Sequence, residues 1–325
     1  MTTMPTEELT DSEVRTVLTA AVAAPSVHNT QPWLFRVRLP FIDIIADESR
    51  RLDAQDPDGR ALLMSCGAAV LNLRVAAEHI GHSTNVTLLP DPADPTLLAT
   101  VELVGLHQRR GMGSELYSAI ADRHTNRMPY EDRPIPGAVL SALVEAASQE
   151  GARLYVVTSP DERRRLVDLI HDADAAADPR VLAETKEWTA VESGRHDGIP
   201  APSLGPIPQN PSTPYRDLAP GRGVSGRGFA VFEQDPTLAI LTTDRDTRLD
   251  WLVAGQALER VLLVATVEGL VSTFANQALE APSLRWLIRD PNQPIGYPQM
   301  MMRIGYAPTA PATPRRPLSE VLLDA

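Results

Sequence analysis

The chain is short of several things, and each shortage removes a class of function. It has one cysteine in 325 residues, Cys66, so no intrachain disulfide can form. That cysteine sits in the apolar run "LLMSCGAAV", where a small buried hydrophobe is the ordinary role. Positive charge is scarce: 30 Lys and Arg stand against 42 Asp and Glu, a net charge of −12 and a pI near 5.1. An acidic surface argues against non-specific binding to nucleic acid or anionic lipid, though arginines can still cluster around a phosphate. No uncharged apolar run reaches about 18 residues, so no membrane span is expected. The opening "MTTMPTEELTDSEVR" is acidic and polar, so no secretory leader is expected and a cytoplasmic protein is the default. His28 and His124 stand alone, and two isolated histidines do not make a metal site.

Apolar residues make up 43% of the chain, enough for a sizeable core in one large domain or two ordinary ones. "LTDSEVRTVLTAAVAA" reads as a helix that Thr10 or Asp11 can cap, with Val14, Val17, Leu18, Ala21 and Val22 on one face and Pro25 as its stop. "WLFRVRL" and "FIDIIAD" alternate as strands do, and "TNVTLLP" and "LATVELVGL" are two more strand candidates. "DPDGRALLMSCGAAVLNLRVAAEHIG" and "DRDTRLDWLVAGQALERVLLVATVEGL" are long helices, apolar around most of their circumference and so central and buried. "SELYSAIADRHTNR" is a helix running into a basic turn, and "IPGAVLSALVEAAS", "ARLYVVTS", "PDERRRLVDLIHDADAAA" and "PTLAILTT" read as helix, strand, helix and strand.

The pattern repeats. "LTAAVAAPS" from Leu18 lies over "LSALVEAAS" from Leu140, and "WLFRV" from Trp33 over "RLYVV" from Arg153. "GAAVLNLRVAAEHIG" from Gly67 lies over "GQALERVLLVATVEG" from Gly255. Three matches in one order suggest two related α+β halves, residues 1–112 and 113–325, meeting near Gly111 to Ser114. The second half carries an insertion, Gly194 to Gly228, with seven Pro and seven Gly. It cannot form a helix or a central strand and is too long for an ordinary connection. It is either a disordered excursion or a lid, with Leu204, Ile207, Tyr215 and Leu218 as apolar anchors.

The turn "APSVHNTQPWLF" resembles the A-P-S-x-x-N-x-Q-P-W signature of the FMN-dependent nitroreductase family. "RHTNR", Arg123 to Arg127, resembles that family's R-R-S-x-R turn, and "PYEDRPIP" continues it. "DPDGRALLMSCGAAV", "FANQALEAPSLRWLI" and "PQMMMRIGYAP" are similar to the Acg branch, and the resemblance covers nearly the whole chain. It implies an α+β pseudo-dimer: two related, mostly antiparallel sheets flanked by helices, with the long helices packed at the centre. In the family each flavin site takes one turn from each of two chains. Here the first half keeps P-S-x-x-N and the second keeps "RHTNR", so the resemblance implies one complete site within a monomeric chain. Val27 replaces a frequent second Ser and His-Thr replaces Arg-Ser, which puts single hydrogen bonds in doubt.

On this resemblance the cofactor-binding residues are Pro25, Ser26, Asn29, Arg123, His124, Thr125, Arg127, Asn276, Gln277, Arg315 and Arg316. The FMN phosphate, a dianion, needs guanidinium donors, for which Arg123, Arg315 and Arg316 are the candidates, with the Thr125 hydroxyl. Amide and hydroxyl groups of Asn29 and Ser26 suit the pyrimidine edge. By motif position Arg127 is the cation beside N1 and the C2 carbonyl, where it favours the reduced, anionic ring. Asn276 and Gln277 stand where the family contacts the N5 edge. Trp33 is read as core packing. No protein acid–base dyad and no metal are expected. The implied activity is NAD(P)H-dependent reduction of nitroaromatic, quinone or similar small-molecule acceptors by a ping-pong cycle. The alternative is an FMN-sequestering protein whose lid closes over the flavin.

Overall fold

The computed structural model describes residues 9–106, 113–192, 194–210, 213–288 and 296–324. The chain opens on α1 (Asp11–Val22), where Thr10 and Glu13 form a reciprocal capping box. Then come β1 (Trp33–Arg38), β2 (Phe41–Ala46), α2 (Arg60–His79), β3 (His82–Leu88), β4 (Leu97–Leu106) and α3 (Gly113–Asp122). The expected boundary between halves lies mostly outside the described residues. The second set begins with α4 (Gly137–Gln149), β5 (Arg153–Val156), α5 (Pro160–Ala175) and α6 (Pro179–Trp188). Short strands β6 (Thr189–Val191), β7 (Ile199–Pro200), β8 (Ile207–Pro208) and β9 (Phe229–Ala230) follow. The body resumes with β10 (Thr237–Thr243), α7 (Arg248–Val267), β11 (Val271–Phe274), α8 (Gln277–Glu280), α9 (Pro282–Arg285) and β12 (Tyr297–Gly305). It closes on α10 (Leu318–Val321) and β13 (Leu322–Leu323).

Two large sheets result, beside the two-stranded pairs β6-β7 and β8-β9. One has the order β13-β1-β2-β4-β3 and the other β11-β12-β10-β5. Set aside β13, which pairs parallel with β1, and both sheets have the same plan. A strand pair, a long helix and a second strand pair follow in sequence, with every neighbour antiparallel. The three sequence matches fall on α1 and α4, β1 and β5, and α2 and α7.

The long helices α2 and α7 cross at the two aligned glycines. A Cβ placed on Gly67 would lie 2.3 Å from the Leu252 carbonyl oxygen, and one on Gly255 would lie 2.0 Å from that of Met64. The contact is reciprocal, each glycine meeting the carbonyl three residues before the other. Only a missing side chain allows this approach. α2 has the length and hydropathy of a bilayer-crossing helix, but 83% of that stretch is buried inside the protein, where it forms the shared wall of the first core. Trp33 is fully buried in that core, in the packing role expected for it.

Between α2, α4 and α7 lies a polar knot. Arg74 pairs with Glu150 at 2.5 Å, and Arg260 pairs with the other carboxylate oxygen at 2.6 Å. Glu150 stands where the sequence alignment places His28 of the first half, because Ser148 lies over Ser26.

The Pro- and Gly-rich segment is laid over the body, not excluded from it. Ile199, Leu204, Leu218 and Ala219 form a small core of their own. Of the expected anchors Leu204 and Leu218 are buried, while Ile207 and Tyr215 are only partly so. The periodicity gave no sign of α6, β11, β12 or β13, all short or flanked by irregular chain.

Candidate functional site

The Ala23–Trp33 turn is built from strained backbone. His28, Asn29 and Gln31 have φ of 46°, 57° and 52°, a left-handed conformation that costs non-glycine residues energy and collects at functional sites. Several bonds hold it. The Ser26 hydroxyl accepts from Gln31 N at 2.9 Å, and Ser65 Oγ accepts from Val27 N at 3.3 Å. The Asn29 amide donates to the carbonyls of Gly198 (2.9 Å) and Pro314 (3.0 Å), so it ties the lid and the C-terminal segment to the turn. His28 is buried, and its Nε2 donates to the Gln55 amide oxygen at 2.6 Å. Burial, then the Arg216 charge, pushes its pKa down to about 4, so the imidazole is neutral.

The basic turn is fixed by its middle. Thr125 bridges Ser272 of β11, Asn126 N donates to the Ser272 carbonyl at 2.8 Å, and the buried Asn126 amide donates to Pro308. These bonds aim Arg123 and Arg127 toward the Ala23–Trp33 turn.

Between the two turns is a cavity of about 230 Å³. Eight of the eleven residues expected in the site line it: Pro25, Ser26, Asn29, Arg123, Thr125, Arg127, Asn276 and Arg315. The other three do not. Arg316 points the opposite way from Arg315, into a buried nest where it donates to Gln31 O (3.2 Å), Asp47 (3.2 Å) and Glu320 O (2.7 Å). Its guanidinium is spent on the fold, and Arg315 alone of the pair reaches the cavity. The Gln277 amide donates to Asp174 (3.1 Å) and Tyr215 O (3.0 Å), which ties the lid to the body. The His124 ring is half-buried behind Arg123 and Arg315; burial, then those two charges, lowers its pKa. Asn276 is on the wall, but its amide reaches Met300 Sδ and accepts from Met301 N at 2.9 Å.

Sequence reasoning missed most of the charge here. Six arginines line the cavity (60, 123, 127, 216, 285 and 315) against three carboxylates, Asp56, Asp58 and Glu280. Some are paired. Arg216 from the lid clamps Glu280 with two bonds of 2.7 Å, and Arg285 clamps Asp246 with two of 2.8 Å. Arg123 stands 3.3 Å from the fully buried Glu259. Arg60, Arg127 and Arg315 have no carboxylate within 4 Å among the described residues. Arg315 donates to Thr313 Oγ1 (2.7 Å), Asn29 Oδ1 (3.2 Å) and Ala23 O (3.1 Å), and Arg123 shares that last carbonyl at 3.1 Å. Burial, then the neighbouring Arg123, lowers its pKa to about 9. Arg127 donates to Ser203 O at 2.9 Å, and burial lowers it to about 10. An acidic protein has concentrated uncompensated cations in one cavity, and a bound anion relieves that cost.

The nitroreductase family profile matches residues 120–306. This chain belongs to the nitroreductase family. A Mycobacterium tuberculosis protein provisionally named as an NAD(P)H nitroreductase is 36% identical over 321 residues, 95% of this chain and 90% of that one. The M. tuberculosis protein Acg, also provisionally named as an NAD(P)H nitroreductase, is 30% identical over 332 residues, 98% of this chain and 97% of its own length. A nitroreductase-like crystal structure from Anabaena variabilis overlays with a TM-score of 0.49 at 11% identity, covering 82% of this chain and 69% of that one. Arg127 and Arg315, two of the three unpaired cations, lie where the Ala23–Trp33 and Arg123–Arg127 turns meet.

Proposed function

We propose that this nitroreductase-family protein binds one FMN per chain and uses NAD(P)H to reduce nitroaromatic, quinone or similar acceptors in a ping-pong cycle. The observation that carries the reading is the convergence of Arg123, Arg127 and Arg315, the last two without a carboxylate partner among the described residues, at the junction of the two turns. The chain is read as an internal pair of halves, residues 1–112 and 113–325, acting as a monomer. The shared strand order and the reciprocal Gly67–Gly255 crossing support that reading. In the second half Glu150, held by Arg74 and Arg260, occupies the position aligned with His28, which accounts for a single site.

When bound, FMN supplies two-electron hydride chemistry between a nicotinamide donor and the acceptor. The chain's part is binding and electrostatics. Arg315 and Arg123, which converge on the Ala23 carbonyl, hold the phosphate, with the Thr125 hydroxyl beside them. Arg127 places its charge at the pyrimidine end of the ring. Pro25 and Ser26 give the turn that lines it. Asn29 acts mainly as a tie for the surrounding segments, since its amide is already bonded.

Glu259 tunes the phosphate site. Burial raises its pKa to about 7 against the pull of Arg123. Below pH 7 the carboxyl is neutral, and both arginine charges face the phosphate. Above pH 7 the carboxylate competes for Arg123 and repels the dianion. The FMN dissociation constant should rise about three- to tenfold from pH 6.5 to 8. Fluorescence titration should show this slope in the native protein and a flat profile in Glu259→Gln. The same slope in both would remove Glu259 from the account.

A second reading, flavin sequestration, is favoured by the lid. Gly205, at φ 70°, touches Arg127 so closely that a Cβ would stand 2.4 Å from the Arg127 carbonyl oxygen. Ile199, Arg216 and Leu218 of the same segment line the cavity. Hydride transfer needs donor carbon and acceptor nitrogen within about 3–3.5 Å, so a seated lid opposes it and a moving lid gates it. Anaerobic mixing with NADPH and with NADH, following the flavin absorbance band, separates the readings. Slow bleaching is expected in the native protein, and faster bleaching when residues 200–220 are replaced by a short Gly/Ser linker. Rapid turnover of the native protein would remove the lid's inhibitory role. Tight FMN binding with no bleaching in either form would favour sequestration.

A further inference from the structure

Arg60 is the first residue of α2 and is only 8% exposed, yet it lines the cavity. Its Nη1 donates to the Gln299 carbonyl at 2.5 Å and touches Met64 Sδ at 3.6 Å. A weaker contact to the Gln299 amide oxygen, at 3.5 Å, completes its bonding among the described residues, so Nε and Nη2 are uncommitted. Burial, then the nearby Arg285, lowers its pKa to about 10.

The charges around it are all engaged elsewhere. Both Asp56 oxygens accept backbone N–H groups at the start of α2, from Ala61 at 3.0 Å and Leu62 at 2.9 Å. Glu280 is clamped by Arg216, and Arg285 by Asp246. Asp58 stands exposed on the rim. Asp56, Glu280 and Asp246 act on Arg60 only at longer range, and a buried guanidinium with free donors and no carboxylate within 4 Å among the described residues is a site for an oxyanion.

Arg60 lines the same cavity as Arg123 and Arg315 but shares no hydrogen-bond partner with either. It sits instead on Gln299, next to Met300, whose sulfur receives the Asn276 amide. Asn276 is the residue placed at the reacting edge of the ring by the family resemblance. An anion held there belongs to the reacting molecule itself. In a nicotinamide dinucleotide the diphosphate is separated from the reacting ring by a ribose, which fits this position poorly.

We infer that Arg60 anchors a carboxylate on the electron acceptor, and that the preferred acceptors are small aromatic acids. The inference rests on the oxidoreductase reading for turnover but not for binding. Arg60 is a specificity-determining residue in this scheme, forming a charged hydrogen bond through Nε and Nη2 while Nη1 stays on Gln299.

Two measurements test it. The first is steady-state reduction of 4-nitrobenzoate and the isosteric, neutral 4-nitrobenzamide by the FMN-loaded protein. The native protein should favour the acid by about 10- to 100-fold in kcat/KM, mostly through KM. Arg60→Met should bring the two within about threefold by losing the acid alone, and Arg60→Lys should recover part of the preference. The second is calorimetric titration of the FMN-loaded native protein with benzoate and with benzamide, which needs neither turnover nor a variant. Benzoate should bind at least about tenfold more tightly. Brisk turnover of the neutral compound with no preference for benzoate would overturn the Arg60 assignment and leave the oxidoreductase reading intact. Tighter binding of benzoate than of benzamide, with no turnover of either nitro compound, would support the anion site and overturn the reductase reading. A raised KM for the nicotinamide donor in Arg60→Met, with the acid preference unchanged, would reassign the cation to the donor and sink the proposal.

Discussion

Replacing Gly255 with alanine should damage this protein more than the same change at any other described glycine. The new Cβ would meet the Met64 carbonyl at 2.0 Å, and that carbonyl belongs to a buried helix that no side-chain rotation can move. The helices α2 and α7 must part, which opens both cores that they share. Overpacking of a rigid contact costs about 3 kcal/mol or more, and in a chain of this size each kcal/mol lowers Tm by roughly 2–4 °C. A fall of roughly 6–12 °C is therefore expected from thermal unfolding followed by circular dichroism. The damage should reach function, because Met64, Ser65, Ala68 and Leu258 of the same two helices line the cavity. Gly137→Ala is the control: nothing lies within 4 Å of its Cβ position, so Tm should be unchanged or slightly higher. Equal Tm values for Gly255→Ala and the native protein would refute the close crossing.

The second large effect separates two adjacent arginines. Arg315→Ala should weaken FMN binding by about 10- to 150-fold, the worth of a charged hydrogen bond of about 1.5–3 kcal/mol. Arg316→Ala should leave the FMN dissociation constant unchanged and lower thermal stability instead, since its guanidinium is bonded to Gln31, Asp47 and Glu320. Flavin fluorescence titration gives the first quantity and thermal unfolding the second. Equal loss of FMN in both variants would reject the assignment of the phosphate to Arg315.

That contrast also marks where the sequence stops being informative. The two arginines are neighbours in "TPRRPL", and position alone offers either or both. The residue before a proline is pushed toward extended backbone, and side chains along extended chain alternate in direction. Pro317 therefore favours the divergence, but it does not say which arginine faces the cavity. Asn276 and Gln277 divide in the same way, one to the cavity wall and one to the lid. Features that depend on local period were legible: the capped α1, the alternating β1, and the apolar circumference of α2 and α7; β2 forms as a strand but is buried along five consecutive residues rather than alternating. So was the pairing of the Pro25 turn with the Arg123 turn, because each carries a compact motif. Charge pairing was not. Arg216 and Glu280 are 64 residues apart, and nothing in "PYRDLAP" names its partner. Arg60 opens a helix after a glycine, where an arginine is usually a solvated first-turn residue. Only its burial beside β12 reveals the missing counter-charge.

The cavity takes one wall from residues 25–29 and another from residues 123–127 of a single polypeptide. A pocket shared between separate subunits empties on dilution, because the walls part. Here the covalent link and the shared core hold one wall against the other at an effective concentration that does not fall with the protein concentration. The integrity of the pocket should therefore be independent of how scarce the protein becomes, and its occupancy is then set only by the free ligand concentration and the dissociation constant.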